Sequence, residues 1–122
     1  MLERRIGKYI RCYSLFLNAV KNGQKTVEII GYRKKEKIIV DDRLKRFLNV
    51  IKTFYNNTKD LEIKKIIQYY YIKKYSDRRV LHELYCSEST YYKLKHYICE
   101  RILALCACNG LVDEKEIVFN LR

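Results

Sequence analysis

The chain is short and strongly basic, with 122 residues, 26 Lys and Arg against 14 Asp and Glu, and a formal net charge of +12 at pH 7. That length suits one domain with its own core, and a hydrophobic content of 48% is normal for a globular protein. The longest relevant apolar run, residues 102–108, is far below the roughly 20 residues of a membrane span. These features exclude an integral membrane protein and favour a polyanionic partner such as nucleic acid.

The N-terminal segment carries a helical pattern. Apolar residues recur every three or four positions between Ile6 and Val20. This spacing predicts an amphipathic helix over residues 2–21, ended by Asn22 and Gly23. Basic residues take most of the opposite side, so the helix could either cover the core or mediate self-association.

The next segment, residues 26–40, behaves differently. Two runs rich in β-branched residues, 26–30 and 37–40, flank Gly31 and the basic stretch 33–35. This pattern is typical of a short β-hairpin and is also compatible with an extended connector. The basic stretch would be solvated or would touch phosphates.

Two further helices are predicted before residue 76. Asp41 or Asp42 is placed to cap the first, which ends at residues 56–58. Its apolar stripe consists of Leu44, Phe47, Leu48, Ile51, Phe54 and Tyr55. The second begins near Lys59 and is expected to bury Leu61, Ile63, Ile66, Ile67 and Tyr70.

Residues 76–96 predict a helix-turn-helix. Leu81 and Leu84 give its first helix an apolar side, and the Ser87 hydroxyl is a natural N-cap for the second. The second helix is predicted over residues 88–108, with Tyr91, Leu94 and Ile98 packed inward. Polar and basic residues are left on the outer face, where a major groove would lie. In the turn, Cys86 stands where many such motifs carry glycine, and a positive φ there would cost it about 1 kcal/mol.

Residues that could carry chemistry are few, and we expect no enzyme, no cofactor and no metal. The five cysteines are odd in number and follow a charged N-terminus, which indicates free thiols in a reducing cytoplasm. His96, Cys99, Cys106 and Cys108 lack the spacing of a zinc site. His82 and Cys86 lack an orienting carboxylate, and no glycine-rich phosphate loop is present.

Residues 61–105 resemble the C-terminal domain of phage late-gene transcriptional regulators of the RinA/ArpU family. They are also similar to the helix-turn-helix of sigma-factor region 4. The resemblance is carried by the tyrosines at 69–71, the helix at 77–84 and above all by SESTYYKLK at 87–95. It implies a small regulator that binds a promoter region and activates phage late genes.

The resemblance also implies roles for single residues. The expected contacts to base edges come from Glu88, Ser89, Tyr92 and Lys93. The expected contacts to phosphates come from Arg78, Arg79, Ser87, Thr90, Lys95 and His96.

Together these patterns predict a mostly α fold of about five helices with a C-terminal helix-turn-helix. Residues 1–40 form an N-terminal helix and basic hairpin or connector, 41–112 the helix-turn-helix domain and 113–122 a tail. The predicted function is sequence-specific binding of double-stranded DNA in the cytoplasm of a bacterial host. Two alternatives remain: a sigma-like factor, and an interaction module that binds RNA polymerase or a regulatory partner. A homodimer and a phage or mobile-element regulatory protein are further open partners.

Overall fold

Helices make up most of the described chain, residues 2–30, 35–113 and 116–117, in this computed structural model. The expected mostly α fold is confirmed, with six α-helices in the described part where about five were predicted. The described elements are α1 (Leu2–Arg11), α2 (Tyr13–Lys21), β1 (Thr26–Ile30), β2 (Lys35–Ile39), α3 (Asp42–Asn57), α4 (Leu61–Ile66), a π-helical segment (Ile67–Ile72), α5 (Asp77–Glu83), α6 (Glu88–Cys108), β3 (Val112–Asp113) and β4 (Glu116–Ile117).

The predicted N-terminal helix is present but divided. Cys12, at φ −89° and ψ 8°, separates α1 from α2, and its N–H donates to the Tyr9 carbonyl at 3.0 Å. This tight turn interrupts the helix without displacing its apolar stripe, and Tyr9 in α1 and Phe16 in α2, seven residues apart, both lie in the core. The repeat of apolar residues does not reveal the break because it continues across it.

The segment from 26 to 40 is a hairpin rather than an extended connector. Strands β1 and β2 are antiparallel, with Thr26 opposite Ile39 and Ile30 opposite Lys35. Alternate residues point inward, and Val27 and Ile38 are buried. The turn, residues 31–34, lies outside the described residues, and with it part of the basic stretch.

Carboxylates cap the two middle helices. Asp41 accepts hydrogen bonds from the N–H groups of Arg43 and Leu44 at 3.0 and 3.2 Å, as one of the two predicted alternatives requires. Asp60 caps α4 in the same way. The expected burial of Leu61 is wrong, because this first residue of α4 is 71% exposed.

The π segment replaces the last turns of the predicted helix. Its wider turns shift the phase of the side chains that follow, and Tyr71 rather than Tyr70 becomes the fully buried tyrosine. The Tyr71 hydroxyl lies 3.3 Å from the Cys99 sulfur in α6. The chain then turns at Lys74, which adopts a φ of 62°.

One cluster of buried residues runs through the described chain from Ile6 to Leu111. Helix α1 packs on α6 and on the π segment, and α2 packs on α3. Residues on both sides of the predicted boundary at 40 therefore contribute to one core. In the described residues no helix combines the length and the apolar character needed to cross a membrane.

Only the start of the predicted tail is described. Strands β3 and β4 pair as a short antiparallel ladder, with Val112 opposite Ile117. Ile117 of the predicted tail therefore lies in β4, and residues 118–122 lie outside the described range.

Candidate nucleic-acid interface

The predicted helix-turn-helix corresponds to α5, the connector 84–87 and α6. Ser76 caps α5 by accepting a hydrogen bond from the Arg79 N–H at 3.2 Å. Ser87 caps α6 by accepting one from the Thr90 N–H at 3.1 Å, as the sequence predicts. These caps fix where both helices begin, and α6 has the predicted bounds, Glu88–Cys108.

The connector needs no glycine. Lys74 is the one non-glycine residue with positive φ in the described part of the chain, so Cys86 does not adopt that conformation. Leu84 leaves α5 with φ −107° and ψ 155° and is buried. A connector that is extended at Leu84 and Ser87 and holds no left-handed residue accommodates cysteine without the steric cost of a positive φ.

The buried residues of α5 and α6 are those that the sequence predicts, except at one position of α5. Tyr91 and Ile98 of α6 are fully buried, and Leu94 is half-buried against the core. In α5 the fully buried residue is Val80, whereas Leu81 is only half-buried. Leu81 instead lines a cleft between the two helices.

The residues expected to contact DNA lie on one exposed side of the helix pair, with Lys95 as the exception. The exposed members are Arg78, Arg79, Ser87, Glu88, Ser89, Thr90, Tyr92, Lys93 and His96. Arg78, Glu88 and Tyr92 line the cleft between α5 and α6 together with Leu81 and His82. Ser89 and Lys93 follow each other at helical spacing on the adjoining side of α6.

Lys95 is engaged inside the molecule instead. Its side chain is 17% exposed, and its ammonium nitrogen lies 2.9 Å from a carboxylate oxygen of Asp77. The same nitrogen sits 3.8 Å from the centre of the Tyr70 ring, a cation–π distance. The ammonium expected to neutralise a phosphate already has a carboxylate and an aromatic partner.

Asp77 receives a second hydrogen bond, from the hydroxyl of buried Tyr91 at 2.5 Å. We call Asp77, Tyr91 and Lys95 the interhelix joint, because they tie the start of α5 to α6. Burial opposes ionisation of Asp77, but the hydrogen bonds from Tyr91 and Lys95 outweigh it and lower the pKa of the carboxyl. Burial and the same hydrogen bond raise the pKa of Tyr91.

Two of the exposed basic residues, Arg79 and His96, are oriented by neighbours. The Arg79 guanidinium lies 3.7 Å from the centre of the Tyr75 ring, which stacks on Tyr69. His96 lies 3.4 Å from a carboxylate oxygen of Glu100, one turn further along α6. The aromatic support fixes Arg79 at the start of α5, and Glu100 competes with any anion for His96.

The serine and threonine at the start of α6 are also paired. The Ser87 hydroxyl donates to the Thr90 hydroxyl at 3.0 Å while it accepts from the Thr90 N–H. Each hydroxyl oxygen keeps further acceptor capacity, and the Thr90 hydroxyl keeps its proton to donate. The pair can therefore still reach a phosphate, with Thr90 as the donor.

The sequence did not predict the contacts of Asp77 with α6 or the exposure of Tyr85 in the connector. Asp77 was recognised only as a member of a helix, because its partners lie fourteen and eighteen residues away and no local spacing reveals them. Tyr85, in the connector, is 94% exposed, with the Lys65 ammonium 5.6 Å from its ring centre. A large aromatic residue inside a turn is a signal that the sequence did contain.

The described residues hold no cluster of three or more side chains able to ligate a metal. The five cysteines are free thiols, and Cys99 and Cys106 are buried. Burial raises the pKa of Cys106 to about 12, which keeps this thiol protonated and unreactive.

Among known proteins, the chain is similar to one protein family. A family model described as "Protein of unknown function (DUF1492)" matches residues 18–103, which include the hairpin, the middle helices and the whole exposed side of the helix pair. No curated protein and no solved structure matches the chain.

Proposed function

The chain belongs to the DUF1492 family of proteins of unknown function, and we propose that this member is a sequence-specific double-stranded DNA-binding transcriptional regulator. The observation that carries the proposal is the exposed side of α6. Its first two turns hold Glu88, Ser89, Tyr92 and Lys93 exposed, while Tyr91 on the opposite side is fully buried. A helix anchored in this way can enter a major groove with its polar side chains toward the bases.

Charge supports the same proposal. The net charge of +12 favours binding to phosphates with release of counterions. Arg78 and Arg79 stand at the start of α5, close to the cleft that Glu88 and Tyr92 line. Phosphate contacts from α5 would set the position of α6 in the groove, and side chains of α6 would then read the bases.

The proposed roles follow from donor and acceptor chemistry. Lys93 would donate to the O6 and N7 acceptors of guanine, and Glu88 would accept from the N4 amino group of cytosine. Ser89 and Tyr92 would contact neighbouring base edges. Arg78, Arg79, Thr90 and His96 would bind phosphates, whereas Lys95 is reassigned to the interhelix joint. Ser87 acts first as the cap of α6.

The biological setting is a finer proposal, supported by the sequence resemblance at residues 61–105. We infer an activator of phage late genes that binds near a promoter and contacts the host RNA polymerase. A bacterial host cytoplasm is the setting that this role requires.

Selection of binding sites from a random duplex library tests the proposal without a known operator. The purified chain should enrich one motif, and a mobility shift at about 150 mM salt should favour that motif over competitor DNA by at least 10³-fold. Lys52→Gln, a charge loss at an exposed site on α3, serves as the control and should enrich the same motif. Equal binding to all duplexes would contradict sequence-specific regulation.

A second candidate function is an interaction module for RNA polymerase or a regulatory protein. The observation in its favour is the exposed aromatic pair of Tyr85 and Tyr92, at 94% and 46% exposure. Exposed tyrosines are enriched at the centres of protein interfaces. Purified bacterial RNA polymerase should then retain the wild-type chain and lose Tyr85→Ala, with DNA absent. Retention of both proteins alike would contradict this candidate.

A further inference from the structure

A second basic surface lies beside the helix pair. An open groove of about 780 Å³ runs between α1, the π segment and α6, with Tyr70, Tyr71 and Cys99 among its lining residues. Six basic residues line it and define what we call the basic groove. They are Arg4, Lys8, Arg11, Lys74, Lys95 and His96. No carboxylate is among the described residues that line it.

Two of these cations hold the groove together. The Arg11 side chain donates to the carbonyls of Tyr70 and Tyr75 at 3.2 and 3.3 Å, and its guanidinium lies 4.2 Å from the Tyr70 ring centre. Lys95 approaches the same ring at 3.8 Å and is paired with Asp77. Arg11 and Lys95 therefore fix the wall formed by the π segment and have little left to offer a ligand.

Three other cations remain available. Arg4, Lys8 and Lys74 are exposed, and none of them forms a hydrogen bond or ion pair with another described residue. Burial raises the pKa of the Cys12 thiol, Lys74, Lys8 and Arg11 counteract that rise by their charge, and Glu36 adds to it. The charges of both lysines thus act on one point in the groove. Like charges gathered in a cleft repel one another and attract an anion.

The groove continues the proposed reading surface along α6. Glu88, Tyr92, Lys95 and Cys99 follow at intervals of three or four residues, so they form one stripe on the helix. The first two line the cleft beside α5, and the last two line the basic groove. Glu88 and Lys95 are about 10 Å apart along the helix axis, so the groove begins within about two turns of the start of α6.

We propose that the basic groove binds backbone phosphates of the DNA segment next to the one that the first two turns of α6 read. This inference rests on the proposed function. Arg4, Lys8 and Lys74 supply the contacts, and the N-terminal helix α1 thereby becomes part of the DNA-binding surface. The groove adds affinity and lengthens the bound segment without reading bases.

The salt dependence of binding to a random-sequence 24-base-pair duplex tests the groove without an operator. Arg4→Gln, Lys8→Gln and Lys74→Gln should each reduce the slope of log K against log salt by about 0.9, and the triple variant by about three times as much. Lys52→Gln removes the same charge from an exposed site in a different cleft and should keep the wild-type slope. Far-ultraviolet circular dichroism should confirm that all variants are folded.

The possible outcomes distinguish a failure of the groove proposal from a failure of the proposed function. A wild-type slope in the triple variant, or an equal reduction in Lys52→Gln, would overturn the groove and leave sequence reading by α6 intact. A reduced slope in the triple variant, together with equal binding of the wild-type chain to all duplexes of the random library, would support the groove and contradict specific regulation. Binding of tripolyphosphate that the triple variant loses, with its DNA slope unchanged, would assign the groove to a free polyphosphate and overturn the proposal.

Discussion

Helix α6 carries two lysines, Lys93 and Lys95, that have different surroundings. On the outer side of α6, Lys93 is exposed and forms part of the proposed reading surface. Two residues later, Lys95 is paired with Asp77 and covers the Tyr70 ring. The outer side is exposed and can exchange its water for a ligand, whereas the interhelix joint uses its charges to hold α5 against α6.

A basic residue next to the proposed reading surface therefore need not belong to it. Lys95 follows Tyr92 on the stripe of α6 that faces α5, where Asp77 lies 2.9 Å from its ammonium, whereas a rotation of about 200° around the helix places Lys93 away from that carboxylate. The outer side should therefore determine affinity and specificity, and the joint should determine stability and the angle between the helices. Variants on the two sides can test that division.

The largest effect is expected for Lys93→Ala on the outer side. Loss of the contact to guanine should weaken binding to the selected motif by about 1–3 kcal/mol and relax preference at one base position. The free energy of unfolding should change by less than about 0.5 kcal/mol, because the side chain is exposed. Competition mobility shifts and urea unfolding measure the two quantities. Equal losses on the motif and on random DNA would contradict a base-reading role.

Asp77→Ala removes the carboxylate of the interhelix joint. It leaves the Tyr91 hydroxyl and the Lys95 ammonium without their shared partner, and we expect unfolding to become easier by about 1–2 kcal/mol. Urea unfolding measures the change. Glu83→Ala, an exposed carboxylate removed from the other end of the same helix, is the matched control and should stay within about 0.5 kcal/mol of wild type. Equal free energies of unfolding for both variants would show that the interhelix joint does not stabilise the fold.

Lys95→Met distinguishes the two regions most directly. Methionine keeps much of the apolar stem and removes the ammonium that lies over the Tyr70 ring and against Asp77, so stability should fall by about 1 kcal/mol. The slope of log K against log salt should remain that of wild type, because this charge is already neutralised by Asp77. A slope reduced by about one would return Lys95 to the phosphate contacts that the sequence suggested.

The sequence was sufficient where structure depends on neighbours along the chain. Helical spacing and the cap at Ser87 predicted α6 with its bounds, and the β-branched runs gave the hairpin as one of two alternatives for residues 26–40. Exposure follows from the same periodicity, which is why all but one of the proposed contact residues lie on the surface.

The sequence was insufficient where structure depends on distant partners or on phase changes. The π segment puts Tyr71 in the place expected for Tyr70, and no pattern of apolar residues marks a widened turn. The break at Cys12 is hidden because the apolar repeat continues across it. Asp77 meets Lys95 across eighteen residues, so this contact could only be recognised once the helices were packed.

The smallest effect is the pH dependence that the joint should impose on stability. The pKa of Asp77 lies below its ordinary value of 3.8, because hydrogen bonds from Tyr91 and Lys95 outweigh the opposing effect of burial. The folded chain therefore binds this proton less readily than the unfolded chain. The stabilisation is fully present above the unfolded pKa and is lost as the pH falls through the folded pKa. Urea unfolding of wild type and Asp77→Asn between about pH 6 and pH 3 should give a difference that narrows toward the acid end, and a constant difference would mean that the ionised carboxylate does not stabilise the joint.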